Sequence, residues 1–185
     1  MNGAGTDAGQ GDVSLHALSV PVILHYLDRM DALLAGLAPS ELCLLDRRLA
    51  PDGFQAHGHF ACAQGYALRA VFPVAGRPVP DLPEPSDTRV ALRARSAAAR
   101  AHLAGITPGM MADGAAHRVR HEAGFATLEQ DATDYLTLYA LPNFIFHLSQ
   151  GFAILRAQGL PVGKADFDGF HSYPAGFSWV KDGEN

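Results

Sequence analysis

One stretch near the carboxyl end constrains the fold more than any other part of the chain. From Tyr135 to Ala157, apolar residues such as Leu136, Leu138, Leu141, Phe144, Phe146, Leu148, Phe152 and Leu155 fall on every side of a helix. A helix without a polar face is expected at the centre of a bundle, covered all round by its neighbours. Asp131, Ala132, Thr133 and Asp134 read as its start, with acidic groups at the positive end of the helix dipole. Gly159 and then Pro161 stop it. Pro142 is expected to kink it, because proline removes a backbone donor and crowds the preceding turn.

A central helix needs partners, and three further segments carry a helical period. In the first, Ile23, Tyr26, Leu27, Met30, Leu33, Leu34 and Leu37 recur at steps of three and four, with Asp28, Arg29 and Asp31 on the solvated side. Ser14 or Ser19 is its cap, and Pro21 belongs in the first turn or marks a kink. A brief helical connection is expected over Leu42–Leu49. Pro51, Asp52 and Gly53 then open a second helix over Phe54–Phe72. Its small residues (Ala56, Gly58, Ala61, Ala63, Gly65, Ala67) should let a neighbour approach closely. Pro73–Pro85, with five prolines, reads as an ordered surface loop. Ser86 or Asp87 should cap a third helix running to Ala104, with Leu92, Ala99 and Leu103 on its inner face. His117–Leu128 changes period and predicts a β-hairpin turning at Gly124; alone it would be marginal, so it must pack on the bundle.

The expected fold is therefore mainly all-α, a four-helix bundle with a small hairpin before the last long helix. The bundle should occupy residues 13–168, between a disordered tail over 1–12 and a carboxyl-terminal tail over 169–185. Phe167, Phe170, Tyr173, Phe177 and Trp179 should pack across the bundle or against a partner chain. A chain of 185 residues suits one such core.

The formal net charge of −5 offers no footprint for nucleic acid or an anionic membrane. Cys43 and Cys62 have no spacing that suggests a disulfide framework or a thiolate zinc site. The first dozen residues lack the basic and apolar regions of a signal peptide, and no apolar run reads as long enough to cross a bilayer, so the cytoplasm is the expected compartment. Lys164 and Lys181 are the only lysines among 14 basic residues, which with the abundant alanine points to a GC-rich bacterial genome.

One polar stripe stands out as a candidate ligand-binding site. Tyr139, Asn143, His147 and Gln150 lie at steps of four, four and three, on one face of the apolar helix. His59, on the second helix, is the natural partner across the bundle, and His57 should point the opposite way. His25 and His121 are further candidates. Buried polar groups left unpaired cost roughly 1–3 kcal/mol, so a closed hydrogen-bond network is the first reading of the stripe. The second is a metal site: three imidazoles with one open position is an arrangement found at catalytic zinc. No nucleophile elbow, phosphate loop or dinucleotide fingerprint occurs.

Three stretches resemble an uncharacterised bacterial family of unknown function related to the DinB/YfiT-like helical bundles. They are Ser19-Val20-Pro21-Val22, Leu49-Ala50-Pro51-Asp52-Gly53-Phe54, and Asp134-Tyr135 running through Leu141-Pro142-Asn143-Phe144-Ile145-Phe146-His147. The last continues into Ala153-Ile154-Leu155-Arg156, Gly159 to Lys164, and Asp166-Phe167, so the likeness spans Leu15 to Phe167. It implies an up-down four-helix bundle and often a homodimer. DinB-like members place a histidine of the second helix beside an H-x-x-x-H pair, which together bind a divalent metal. By that resemblance His59 and His147 are the candidate metal ligands. Asn143 stands where the family has its other histidine, and asparagine is a much poorer ligand for zinc or nickel. The functional expectation is a noncatalytic module, dimeric or small-ligand-binding. The alternative is a metal- or histidine-assisted transferase or hydrolase acting on a small thiol or other small molecule.

Overall fold

A computed structural model describes residues 14–84, 88–174 and 176–179. The expected amino-terminal tail and the expected caps Ser86 and Asp87 lie outside the described residues.

Four long helices form the bundle: α1 (Leu15–Gly36), α2 (Ala56–Arg69), α3 (Arg89–Ala104) and α4 (Ala132–Ala157). Between α3 and α4 runs an antiparallel hairpin of β1 (Arg118–Ala123) and β2 (Ala126–Asp131), paired from Arg118↔Asp131 to Ala123↔Ala126. A short α5 (Lys164–Asp168) follows α4. The mostly helical fold with one small hairpin is the architecture expected from the sequence.

Local chemistry sets the boundaries. The Ser14 hydroxyl caps α1 by accepting from the Ala17 N–H at 3.2 Å. Ser19 is no cap; it is fully buried and donates to the Leu15 carbonyl at 2.6 Å. Pro21 lies beyond the first turn, inside a helix that continues through it. The brief connection is a 3-10 helix over Pro39–Asp46, earlier than Leu42–Leu49. It starts at Pro39 because Pro is pre-set for a first helical position and Glu41 reaches back to the Ala38 N–H at 2.7 Å. Pro51-Asp52-Gly53 form a turn, so α2 begins at Ala56 and ends at Arg69, shorter at both ends than expected. Thr88 caps α3 by accepting from the Ala91 N–H. At the hairpin tip Gly124 takes φ +62° with Phe125 fully exposed beside it, the Gly-first pattern of a type II′ turn.

The core sits where the four helices meet. Ile23, Leu27, Met30 and Leu34 of α1 face Phe60, Ala63 and Ala67 of α2, Leu92, Ala99 and Leu103 of α3, and Leu136, Phe144 and Ile154 of α4, all sealed from solvent or nearly so. One buried polar group joins α2 to α3: the Gln64 amide donates to the Leu92 carbonyl at 2.7 Å and to the Ser96 hydroxyl at 2.8 Å. At the surface Arg93 forks onto both oxygens of Asp31, linking α3 to α1.

Helix α4 departs from expectation in three respects. It is covered on one side only: Tyr135, Leu136, Phe144, Leu148 and Leu155 are buried, while Leu138 and Phe146 are 70% and 53% exposed. It runs on through Pro142 but not in regular α winding: the turn before the proline, Tyr135–Ala140, is a π-helix in which the Leu141 N–H reaches back five residues to the Leu136 carbonyl. A proline ring at 142 would crowd the Leu138 carbonyl in regular α winding, and the wider turn relieves that contact. Finally, Ala132–Ala157 is long and apolar enough to cross a bilayer by length and composition, against the expectation of no such run. Its buried face is taken by α2, the most extensive helix contact among the described residues.

The small residues of α2 were expected to let a neighbouring helix approach closely, and that neighbour is α4. Gly65 has open space where its Cβ would be, and Gly58 only ordinary contact. The glycine that matters is Gly151 on α4: a Cβ there would come within 2.6 Å of the Phe60 ring. Replacing glycine by alanine in a helix gains about 1 kcal/mol of propensity. Overpacking against a rigid buried ring costs about 1–3 kcal/mol, and Phe60 is fully buried. Gly151→Ala should therefore lower the urea midpoint by a net loss on the order of 1 kcal/mol. Gly36→Ala, with nothing nearby, should hold or raise it. Equal midpoints for the two variants would refute this account of the α2–α4 contact.

Candidate functional site

The contact at Gly151 and Phe60 brings the polar stripe of α4 against α2. Residue 147 stands one turn from 151, and 59 is the neighbour of 60, so His147 and His59 meet. Their Nδ1 atoms are 3.0 Å apart. One Nδ1–H donates to the lone pair of the other, a contact that requires at least one neutral ring. Burial lowers the pKa of His59. Burial, and then the nearness of His59, lower that of His147 to about 4. Both rings are thus neutral at physiological pH, and no carboxylate offsets the cost of charging them.

Aromatic rings frame the pair. The Tyr66 ring stacks on His147 at 5.7 Å and 17°, and Phe54 lies at 6.2 Å and 22° on it. Phe54 and Phe146 present edges to His59 at 5.6 and 6.2 Å. The buried unpartnered side-chain atoms among the described residues are Gln64 Oε1, Arg95 Nε and His121 Nδ1. His59 is buried and His147 half-buried. Their two Nε2 atoms are one N–H donor and one acceptor, because the shared Nδ1 proton fixes opposite tautomers in the two rings.

The rest of the stripe behaves differently. The Asn143 amide donates to the Tyr139 carbonyl at 2.7 Å, one turn back on its own helix. Tyr139 sits in the π turn, where its hydroxyl lies 3.3 Å from that of Tyr66 and donates to the Glu122 carbonyl at 3.1 Å. The His121 ring packs on Tyr139 at 4.2 Å, and its Nε2 pairs with Gln130 at 2.8 Å. His121 thereby ties the hairpin to α4. Burial raises the pKa of Tyr139 and pushes that of Tyr135 up to about 12, so both phenols stay protonated. Gln150 is half-buried and makes no side-chain hydrogen bond among the described residues.

His57 points away from His59, to within 3.8 Å of Asp46. His25 lies elsewhere, stacked on Phe170. Cys62 is an unpaired thiol whose pKa burial raises, which leaves it inert. The sequence reading left out Phe54, Phe146 and Tyr66 as members of the site. Tyr66 was legible as lying two turns from His59 on one helix face. Phe54 was not, because it lies in the turn before α2.

A divalent metal at His59 and His147 would need further donors. No group of three His, Cys, Asp or Glu side chains converges among the described residues. The amide at the third position is committed to its own helix, and aromatic rings occupy the flanks of the pair. The residues present do not fit a resident metal.

The four-helix bundle with a small hairpin before its last long helix is a DinB-like fold. A solved structure of a DinB family member from Shewanella denitrificans is similar, with a TM-score of 0.70 and 25% identity over 87% of this chain and 95% of that one. Residues 15–168 match the family described as a domain of unknown function, DUF1993, and the chain belongs to it. No curated protein matches.

The neutral pair makes a pH prediction. A histidine whose folded pKa lies below its unfolded value stabilises fully above 6.5, and that contribution is lost as pH falls towards about 4, because the unfolded chain binds the proton first. The melting temperature should drop across this window. In His147→Gln the drop should be smaller. An identical pH profile in the variant would show that His147 is not held neutral.

Proposed function

We propose that the chain is a noncatalytic, homodimeric binding module of the cytoplasm, in which a second copy docks on the outer face of α4 beside the histidine pair. The observation that carries this reading is the exposed apolar stripe: Leu138 at 70%, Phe146 at 53% and, packed like Phe146 against the histidine pair, Phe54 at 54%. Exposed apolar patches of this kind mark interaction faces. A single helical stripe can meet its own copy across a two-fold axis, the commonest symmetry of homo-oligomers. The unpaired thiols Cys43, which is exposed, and Cys62 fit a reducing compartment.

Docking would also place a wall over the His59–His147 pair, of which His147 is half-buried and His59 buried in one copy. The space enclosed suits a small neutral molecule bearing a donor and an acceptor side by side, matched to the two Nε2 atoms. Tyr139, Asn143 and Gln150 would border that space without ligating.

Sedimentation velocity should give a particle of about twice the 19.6 kDa chain mass. Phe146→Glu should give the single-chain mass with an unchanged circular dichroism spectrum. A wild-type protein that sediments as one chain at tens of micromolar would end the dimer proposal.

The metal-assisted alternative separates cleanly from this reading. Protein purified without a histidine tag should carry no stoichiometric zinc, nickel, iron or manganese by elemental analysis, before or after incubation with divalent ions. Near-stoichiometric metal in wild type, lost in a His59→Ala/His147→Ala double variant, would instead establish a metal centre and direct work to transferase or hydrolase chemistry.

A further inference from the structure

We infer that the end of α4 and the aromatic segment after α5 form a second binding site, for a planar aromatic ring bearing a carboxylate or a phosphate. A cavity of about 340 Å³ lies there, lined by Arg156, Gly163, Lys164, Tyr173, Phe177 and Trp179. That volume falls at the lower end of the range for small-molecule sites.

One wall is aromatic. Tyr173 and Phe177 stack at 5.1 Å and 8°, and Trp179 stands edge-on to both, at 6.3 and 5.0 Å. Trp179 is 81% exposed and Phe177 45%. Aromatic side chains bury a large area when covered, and this wall has no cover among the described residues. The opposite wall is cationic. Neither Arg156 nor Lys164 makes an ion pair or a side-chain hydrogen bond among the described residues, in a chain whose net charge is −5. A ring entering the cavity meets the exposed Trp179 face. Its carboxylate or phosphate meets the Arg156 guanidinium, whose fork suits such oxyanions, with Lys164 as a second charge.

The aromatic wall is held in place by a series of contacts that begins at α1. Phe170 stacks on His25 at 4.8 Å and 8°, and His25 Nε2 lies 2.7 Å from the Asp168 carbonyl. The Asp168 carboxylate accepts from the backbone N–H groups of Phe170 and His171 and pairs with His171 Nδ1. His171 in turn stacks on Tyr173 at 5.9 Å. Gly176, at φ +77°, and a bond from the Phe177 N–H to the Pro174 carbonyl then fold Phe177 back onto Tyr173. Tyr173, Phe177 and Trp179 lie beyond the residues that match the family, 15–168. The aromatic wall is thus outside the matched domain while the cationic wall is inside it, and the site shares no residue with the histidine pair.

Trp179 is the only tryptophan of the chain, so its fluorescence reports on this cavity alone. Phenyl phosphate and benzoate titrated into the full-length protein should change that fluorescence saturably. Phenol, which has the ring without the charge, and cyclohexanecarboxylate, which has the charge without the ring, should not. Arg156→Gln/Lys164→Gln should weaken the response about tenfold or more, the effect of losing charge-assisted contacts, with an unchanged circular dichroism spectrum. The chain's own Asp182 and Glu184 offer carboxylates without a ring, so Asp182→Asn/Glu184→Gln is titrated in parallel. A response only in that variant would assign the pocket to the chain's own terminus and overturn the proposal. So would no saturable response in either protein, or equal responses to the charged and uncharged ligands.

Discussion

The packing of Gly151 against Phe60 sets the distance between α4 and α2, and most of the molecule follows from that distance. With no side chain at 151, the two backbones come close enough for the Phe60 ring to take the space a Cβ would need. The buried faces of both helices then interlock, Phe144 and Leu148 on one and Ala63 and Ala67 on the other. The same approach forces two imidazoles into direct contact one turn away. Their mutual hydrogen bond is less a cause of the packing than a consequence of it. A neutral bond of this kind contributes about 1 kcal/mol net, whereas the apolar contact buries several large side chains at roughly 1.5–3 kcal/mol each.

Pro142 shapes the other half of the site. The π turn it requires shifts the side chains of Tyr135 and Tyr139 relative to those that follow. Tyr139 consequently faces the hairpin and Tyr66, while Tyr135 donates to the Arg69 carbonyl at 2.9 Å and secures the end of α2. The hairpin, too small to be stable alone, is anchored where His121 packs on these two rings. A backbone irregularity imposed by one residue thus determines where a separate supersecondary element attaches.

Much of this was legible in the sequence, for reasons that differ by element. The four helices and the hairpin follow from apolar period, caps and a glycine turn, which are local signals. His59 and His147 could be paired because a polar residue on an otherwise apolar face has few places to go. The covering of α4 was not legible. Hydropathy shows that Leu138 and Phe146 are apolar, but not whether this chain or another covers them. The role of Gly151 was hidden because a close approach depends on two helices, and only the facing phenylalanine reveals which glycine is used. The partner of Asn143 was not legible for a similar reason: spacing places it on the face of His147, while its amide is taken by a carbonyl of its own helix.

That last point bears on what the site has become. A metal-binding bundle needs its third ligand to point across the interface, and an imidazole at 143 could not satisfy itself on the preceding turn as an amide does. With asparagine there, the pair across the interface is left to satisfy its own hydrogen bonds, and burial keeps both rings uncharged. A neutral donor–acceptor pair in an aromatic frame attracts neither cations nor anions strongly. The exposed Phe146 lies against this pair, with the exposed Leu138 further back on the same helix. In this bundle, then, a neutral donor–acceptor pair and an exposed apolar face share helix α4, and neither is offset by charge.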